Sequence, residues 1–387
     1  NWLKTYIDLN ASPQELAERL TMVGLAAETV TAKDDDYILE FDITSNRADA
    51  LSHYGIAREL TAIYGIKAQL PKLKLKESSV ATSSVTSVEI LNPELCPRYT
   101  ARVIRGVKVD PSPDWLVKRL ESIGQRSINN IADITNFVLL EQGHPLHAFD
   151  FHKLTGKRIV VRTARAGETL KTLDGVERKL REDMLVIADG EKPSALAGIM
   201  GGEYSEISND TYDVLLESAY FSPASVRRTA RALDMKTEAS HRFERGADPE
   251  ACIRAINRCA ELICEIAGGE LLADVVDAYP QAIARKTIEL RYNRIAALTG
   301  LVVEPARVRN PLPELGFEVT TFMPDSHWEV VGPSFRTDIN IEEDLVEEIV
   351  RHVGYEHIPL TLPTWNGAGA YLTGEERRRK AQSTLIE

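Results

Sequence analysis

The residues of this chain most able to do chemistry fall into two sets. The first begins in NNIADITNFVLLEQGHPLHAFD, which places Asn130, Asp133, Thr135, Asn136, His144 and His147 in one short stretch. Polar side chains at this density, if buried, must bond one another or serve a ligand. Taken singly they are unremarked: His147, between Leu146 and Ala148, reads more readily as a satisfied core histidine than as a catalyst. Further on, ALAGIMGGEYSEI supplies Gly198, Gly201 and Gly202, where missing side chains let a ligand approach backbone amides. A GxxGG run is unspecific by itself. VLLESAYF then puts Glu217 after an apolar run, where a carboxylate is costly unless something bonds it. KTEASHRFERGADPE adds the helix-start residues Thr237 and Glu238, the small Ala239, and the basic Arg242 and Arg245. Together these describe a pocket without an evident nucleophile. No GxSxG, HExxH, P-loop or CxxC motif occurs, so serine-hydrolase, zinc-protease and simple kinase chemistry lack their defining parts.

The second set is Asp338, Asp344, Glu347 and Glu348. If the segment from Ile341 is helical, Asp344, Glu347 and Glu348 stand at i, i+3 and i+4 on one face, with Asp338 in the turn before it. Hard oxygen ligands in this arrangement suit Mg²⁺. An acidic helix start favoured by the macrodipole explains the same residues, and on spacing alone it is the stronger explanation.

Positioning these side chains takes several elements. Trp2 to about Leu25 reads as a helix, with Ser12 before Pro13 and an apolar stripe from Leu16 to Val23, stopped by Gly24. A strand-like run, Tyr37 to Phe41, leads through DITSNRAD into a helix from Leu51 to Tyr64. These make an N-terminal α+β module over residues 1–70. Residues 71–90, rich in Lys, Pro and Ser, read as a linker. A larger domain follows over residues 91–275, with strand-like pieces YTARVI, RIVVRT and DMLVIA among helices, closed by a long helix from Pro249 to Ala267. A second small α+β module with the acidic helix spans 283–363, and 364–387 is the start of a further domain. The two small modules look alike: setting Arg47 and Asp49 on Arg336 and Asp338 brings Gly65 onto Gly354, which reads as a duplication.

At 387 residues, with 43% hydrophobic and 27% charged side chains, the chain has the composition of a globular protein and no apolar run near membrane-span length. Its four cysteines form no CxxC pair, which points to a reducing cytosol and no zinc. The net charge of −12 argues against non-specific binding to a polyanion. Any nucleic acid must meet a local basic patch, for which Arg227, Arg228, Arg231, Lys236, Arg242 and Arg245 are the candidates. The chain opens on Asn1 with neither an initiator Met nor a signal-peptide pattern, so we expect a trimmed start.

The strings CPRYTARVIRGVKV, INNIADITNFVLLEQGHPLHAFD, ALAGIMGGE, VLLESAYF, RRTARALDMKTEASHRFERGADPE and FRTDINIEEDLVEEIVRHVGYEHIPLTLP closely resemble, in order, the β subunit of bacterial phenylalanyl-tRNA synthetase. The likeness covers nearly the whole chain. It implies a multidomain α+β fold in which a central mixed α/β editing domain is flanked by the two small modules. It implies a cytoplasmic α2β2 heterotetramer with an α subunit that charges phenylalanine tRNA using ATP and Mg²⁺, and no membrane. The editing domain would hydrolyse tyrosine wrongly esterified to that tRNA. By motif position Thr135, Asn136 and His147 line its pocket, Glu217 recognises the tyrosine hydroxyl, and Gly201 and Ala239 leave room for the substrate. Asn136, His147 and Glu217 are the catalytic candidates, and the acidic four become ligands of a Mg²⁺ site associated with the α subunit. Such a division of labour has a physical basis. An apolar synthetic pocket rejects an added hydroxyl only modestly, whereas a second pocket that bonds the hydroxyl reverses the preference. Two departures stand out: an oligonucleotide-binding domain usually inserted after GLAAETV is absent, and domains expected after about Thr373 are missing. A free-standing editing hydrolase, or a scaffold that only binds tRNA or the α subunit, are the competing readings.

Overall fold

The computed structural model describes residues 1–323, 326–361 and 369–387. Near the start, α1 (Pro13–Met22) is capped as its sequence requires, with the Ser12 hydroxyl accepting from the Glu15 amide at 3.1 Å and Pro13 at the first helical position. The helix is shorter than the sequence pattern suggests. Trp2 to Leu9 lie outside it and contribute only a 3₁₀ turn, Leu3–Thr5, because the apolar side chains there are used on a neighbouring core rather than on a helical stripe. A hairpin of β1 (Ala26–Lys33) and β2 (Asp36–Asp42) follows, then α2 (His53–Tyr64), closed by Gly65 at φ +68°.

The central domain is a pair of sheets. Its elements run β3 (Glu77–Ala81), β4 (Ser87–Ile90), β5 (Arg98–Arg105), α3 (Asp114–Ser122), α4 (Asn130–Gln142), β6 (Leu146–Asp150), β7 (Arg158–Thr163), β8 (Thr169–Lys171), β9 (Glu177–Lys179), β10 (Leu185–Ala188), β11 (Pro193–Leu196), β12 (Met200–Gly201) and β13 (Asp213–Tyr220). Helices α5 (Pro223–Ala232), α6 (Glu238–Phe243) and α7 (Ala251–Ile266) come next, then β14 (Glu270–Ala273) and β15 (Val276–Ala278). One sheet is ordered β3-β14-β5-β13-β6, with β15 also on β5; the other is ordered β12-β11-β10-β7-β4. Residues 71–90, expected as a linker, instead supply β3 to the first sheet and β4 to the second. Ser79 and Ser87 are exposed on these edge strands and Lys72, Lys74 and Lys76 lie exposed just before the first of them, so the composition looks like that of a loop.

Because successive side chains of a strand point to opposite faces, the first sheet feeds two cores. Ile104, Ala148, Val214 and Leu216 face α4 and α7 and share a core with Trp2, Tyr6, Leu20 and Leu60 of the first module. Tyr99, Ala101, Val103, Phe149, Leu215 and Ala219 face the second sheet. The N-terminal module is thus not an independent body, because its core is continuous with that of the central domain.

The later module has β16 (Thr287–Arg291), α8 (Tyr292–Thr299), α9 (Pro305–Arg309), α10 (Pro311–Glu314), β17 (Glu318–Met323), β18 (His327–Val331) and α11 (Glu342–Val353), around Trp328, Val330, Leu345 and Ile349. The final helix, α12 (Glu375–Ile386), buries nothing. The boundary expected at 363 lies outside the described residues. The two small modules, which flank the central domain in sequence, are also in contact with each other. Arg351 of α11 donates to Glu59 of α2 at 2.6 Å.

The internal repeat reappears in atomic detail. Arg47 donates to Asp49 (2.9 Å) and Glu59 (2.5 Å), and Arg336 donates to Asp338 (2.9 Å) and Glu348 (2.6 Å), at the same sequence offsets. All but Asp338, which keeps slight exposure, are buried.

Candidate functional site

Strand β13 lies between β5 and β6, and its register decides which side chains meet. Glu217 stands directly opposite His147 on β6 and Ala101 on β5. Directly opposed residues share a face, so the carboxyl and the imidazole project together toward the second sheet. The Glu217 carboxyl is 6% exposed and its one hydrogen bond among the described residues comes from the Tyr99 hydroxyl, 2.8 Å from Oε2. Burial pushes its pKa up to about 8, although the Tyr99 bond pulls the other way. His147 packs edge-on against Phe149, with centroids 4.5 Å apart, and burial pushes its pKa down to about 4. Its Nε2 is sealed and unpartnered, whereas Nδ1 is not sealed. Both groups are therefore neutral near pH 7, suited to recognise a polar but uncharged ligand.

Gly201 closes over this pair from the edge of the second sheet. A β-carbon there would lie 2.4 Å from His147 Cε1 and 2.6 Å from Nε2, so only glycine fits. Ala239, on the first turn of α6, packs partly buried against the same core. The turn before β12 is tied to α6 by the Thr237 hydroxyl, which donates to the Ile199 carbonyl at 2.9 Å while capping its own helix. Gly201 and Ala239 are thus held by one hydrogen-bonded joint.

Other members of the polar stretch are placed differently. Thr135 and Asn136 are on α4, whose apolar side chains pack on the opposite face of the sheet from Glu217. The Thr135 hydroxyl is spent on the Ala132 carbonyl at 2.7 Å; the Asn136 amide is half-buried and makes no hydrogen bond to the described residues. Asp133 braces a loop, accepting from Ser112, Ser127 and the Ile128 amide, and Asn130 bonds the Lys108 carbonyl. His144 is wholly buried against Phe243 with both nitrogens unpartnered. Tyr99 is the site residue that sequence motifs missed. Only its place in the strand-like YTARVI marked it, and nothing in the sequence pairs that strand with Glu217.

The acidic four do not converge. Glu348 is held by Arg336 and Arg351, which keep its pKa down at about 2; Asp338 is held by Arg336; and Asp344 accepts from the Asn340 and Ile341 amides at the start of α11. Glu347 is exposed. Among the described residues no group of three or more His, Cys, Asp or Glu is arranged to hold a metal. By themselves these residues do not fit an enclosed Mg²⁺ site.

The basic patch is smaller than the sequence suggested. Arg242 is buried, bonded to the Leu51 carbonyl and Glu238, and Arg245 is turned onto Glu244 and the His241 carbonyl. Arg227, Arg228 and Arg231 remain exposed on α5 and, with Arg181, line a groove of about 690 Å³.

Residues 95–268 match the B3/4 domain family, and residues 288–355 match the tRNA synthetase B5 domain family. The phenylalanine–tRNA ligase β subunit of Anaeromyxobacter dehalogenans is 54% identical over 329 residues, covering 85% of this chain and 41% of that protein. That of Geobacter metallireducens is 49% identical over 328 residues with the same coverage, and that of Rhodopirellula baltica 43% identical over 362 residues, 94% of this chain and 53% of that protein. The chain thus spans about half or less of these relatives. A solved N-terminal fragment of the phenylalanyl-tRNA synthetase β subunit from Pyrococcus horikoshii aligns over 91% of this chain and 97% of its own at 18% identity, with a TM-score of 0.47. No described helix is long and apolar enough to cross a membrane.

Proposed function

This chain is a homologue of phenylalanine–tRNA ligase β subunits, carrying their B3/4 and B5 domains, and on that premise we propose that the pocket at Glu217 edits tyrosine mischarged on the phenylalanine tRNA. The observation that carries the reading is a buried carboxyl, neutral near pH 7, beside a neutral histidine on which any side chain at Gly201 would press. A tyrosyl side chain offers this carboxyl a hydroxyl. A phenylalanyl side chain would strip it of water and give no bond in return, at a cost of about 1–3 kcal/mol. Specificity therefore falls to Glu217. Cleavage adds water across the ester: oxygen goes to the tyrosyl carbonyl carbon, the bond to the ribose oxygen breaks, and the proton ends on that ribose oxygen. His147 through Nδ1 and backbone amides near Gly201 orient the water or the developing oxyanion, with Ala239 shaping the space, whereas Thr135 and Asn136 stand on α4 across the sheet and support it from that side. The terminal ribose hydroxyl of the tRNA is an alternative proton carrier.

The nucleic acid is met at the groove on α5. Arg227 and Arg231 have no carboxylate within ion-pair distance among the described residues, in a chain of net charge −12. Synthesis, with ATP, belongs to an α subunit in an α2β2 assembly. For Mg²⁺ we propose a site completed by another chain to which Asp344 and Glu347 contribute, because Asp338 and Glu348 are already held by Arg336 and Arg351. Neutralising Asp344 and Glu347 is then expected to raise the Mg²⁺ requirement of the reconstituted enzyme. An unchanged requirement rejects it.

The test of the main reading is hydrolysis of tyrosyl and phenylalanyl esters of the phenylalanine tRNA by this chain, with Ala239→Trp as a variant that fills the pocket. Selective loss of the tyrosyl ester, abolished by Ala239→Trp, is the expected result. Equal hydrolysis of both esters would sink the hydroxyl-recognition role, and no hydrolysis would leave the scaffold reading in its place.

A further inference from the structure

Tyr99 lies on β5 two residues from Ala101, which stands opposite Glu217. On a pleated sheet this puts the Tyr99 ring on the same face as the carboxyl, one diagonal step away. Its hydroxyl donates to Oε2 at 2.8 Å, and Tyr99 itself has no exposed surface. The other carboxyl oxygen, Oε1, has no partner among the described residues and is not among the sealed polar atoms. The two oxygens of Glu217 are therefore unequal: one is closed off by the protein and one is free.

We propose that Tyr99 is a positioning residue for substrate choice, holding Oε2 of Glu217 so that Oε1 is the oxygen that meets the hydroxyl of a tyrosyl ester. The proposal rests on the editing reading and deepens it. Tyr99 restrains a side chain that otherwise has three rotatable bonds and would lose its aim. It also fixes where a proton can be. Because Tyr99 donates to Oε2, any proton on the carboxyl sits on Oε1 and faces the ligand. Oε1 then meets the substrate phenol whether it accepts that phenol's proton or donates its own. The titratable groups packed nearest are Cys96, with its thiol pKa raised by burial, and His147, with its pKa lowered. Neither carries charge near pH 7, so the Tyr99 bond is what orients the carboxyl. In effect the carboxyl is set between two phenols, one belonging to the protein and one to the substrate.

Tyr99→Phe deletes a single oxygen and keeps the ring. With tyrosyl and phenylalanyl esters of the phenylalanine tRNA, the variant is expected to lose about tenfold in its tyrosyl-to-phenylalanyl ratio of kcat/KM, the worth of one hydrogen bond. In a Glu217→Gln background the same change should alter the ratio less than about twofold, because Tyr99 acts through that carboxyl. A parental ratio in Tyr99→Phe, or an equal tenfold loss in both backgrounds, overturns the proposal. Should Tyr99→Phe fail to fold, Tyr99→His returns a ring donor: a ratio above that of Glu217→Gln supports the proposal, and one equal to it counts against. If the parent protein shows no tyrosyl preference, the editing reading itself fails, a result distinct from a parent that discriminates alongside a Tyr99→Phe protein that discriminates equally well.

Discussion

Glu217 and His147 face each other across two strands and are shifted in opposite directions by the same cause, burial. The sign of each effect on stability follows from linkage. Glu217 titrates near 8 when folded against 4.5 ordinarily, so the folded chain holds an extra proton between those pH values and loses stability as pH rises through them. Replacing it with Gln removes that dependence. The stability of Glu217→Gln relative to the parent is expected to be constant below about pH 4 and to grow in the variant's favour up to about pH 8, by on the order of a few kcal/mol. Urea midpoints across pH would check this, and a difference that stays flat would place the parent's proton elsewhere. The histidines act in the opposite direction. His53, His144, His147 and His352 are each pushed by burial from 6.5 to about 4, so the folded chain holds fewer protons than the unfolded one between these values. Stability from this source is complete above pH 6.5 and is lost as pH falls toward 4.

Strand β12 meets β6 where Gly201 faces His147, and a β-carbon on Gly201 would press on the imidazole. Gly201→Ala is expected to cost about 1–3 kcal/mol, the range for overpacking, and to displace His147. In a His147→Ala background the same alanine should be tolerated; a loss that persists there would mean that the strain lies in the strand rather than at the imidazole. Helix α5 presents the complementary case of a feature that faces outward. Arg227→Glu with Arg231→Glu is expected to weaken binding of the phenylalanine tRNA and to reduce the slope of log affinity against log salt by about two, one for each lost phosphate contact. An unchanged slope would move the RNA to another face. Much of this pocket could be read locally. Glu217 ended an apolar run, Gly201 sat in a glycine cluster, and Ser12 and Thr237 marked helix starts by capping chemistry that acts over a few residues. What could not be read needed partners far away in sequence. Tyr99 reaches Glu217 across 118 residues. The strands taken for a linker are recognisable only from the sheet edges they join, and Arg242 looked like part of a surface patch until its guanidinium met the Leu51 carbonyl.

At the scale of the whole molecule, the two repeats are joined by charge. Arg351 donates to Glu59 of one repeat at 2.6 Å and to Glu348 of its own at 2.7 Å, and all three side chains are 3% exposed. Arg351→Met would leave two carboxylates short of a partner, at about 3–5 kcal/mol. Hydrogen exchange is expected to quicken in β16 to α11 and at α2 while β5 and β13 stay protected. Uniform quickening would show that the repeats unfold with the sheets and not apart from them. The join is one-sided. By the repeat's own offset the counterpart of Arg351 is Ala62, which packs as an apolar side chain against the core of the later module. Two separate identical subunits could not be built in this way. In a symmetric dimer every arginine and every clash is written twice, so a change that suits one half burdens the other. Carrying both copies on a single polypeptide removes that obligation: one copy can keep the clasp and the other the plain surface, and each can go on changing without the consent of its twin.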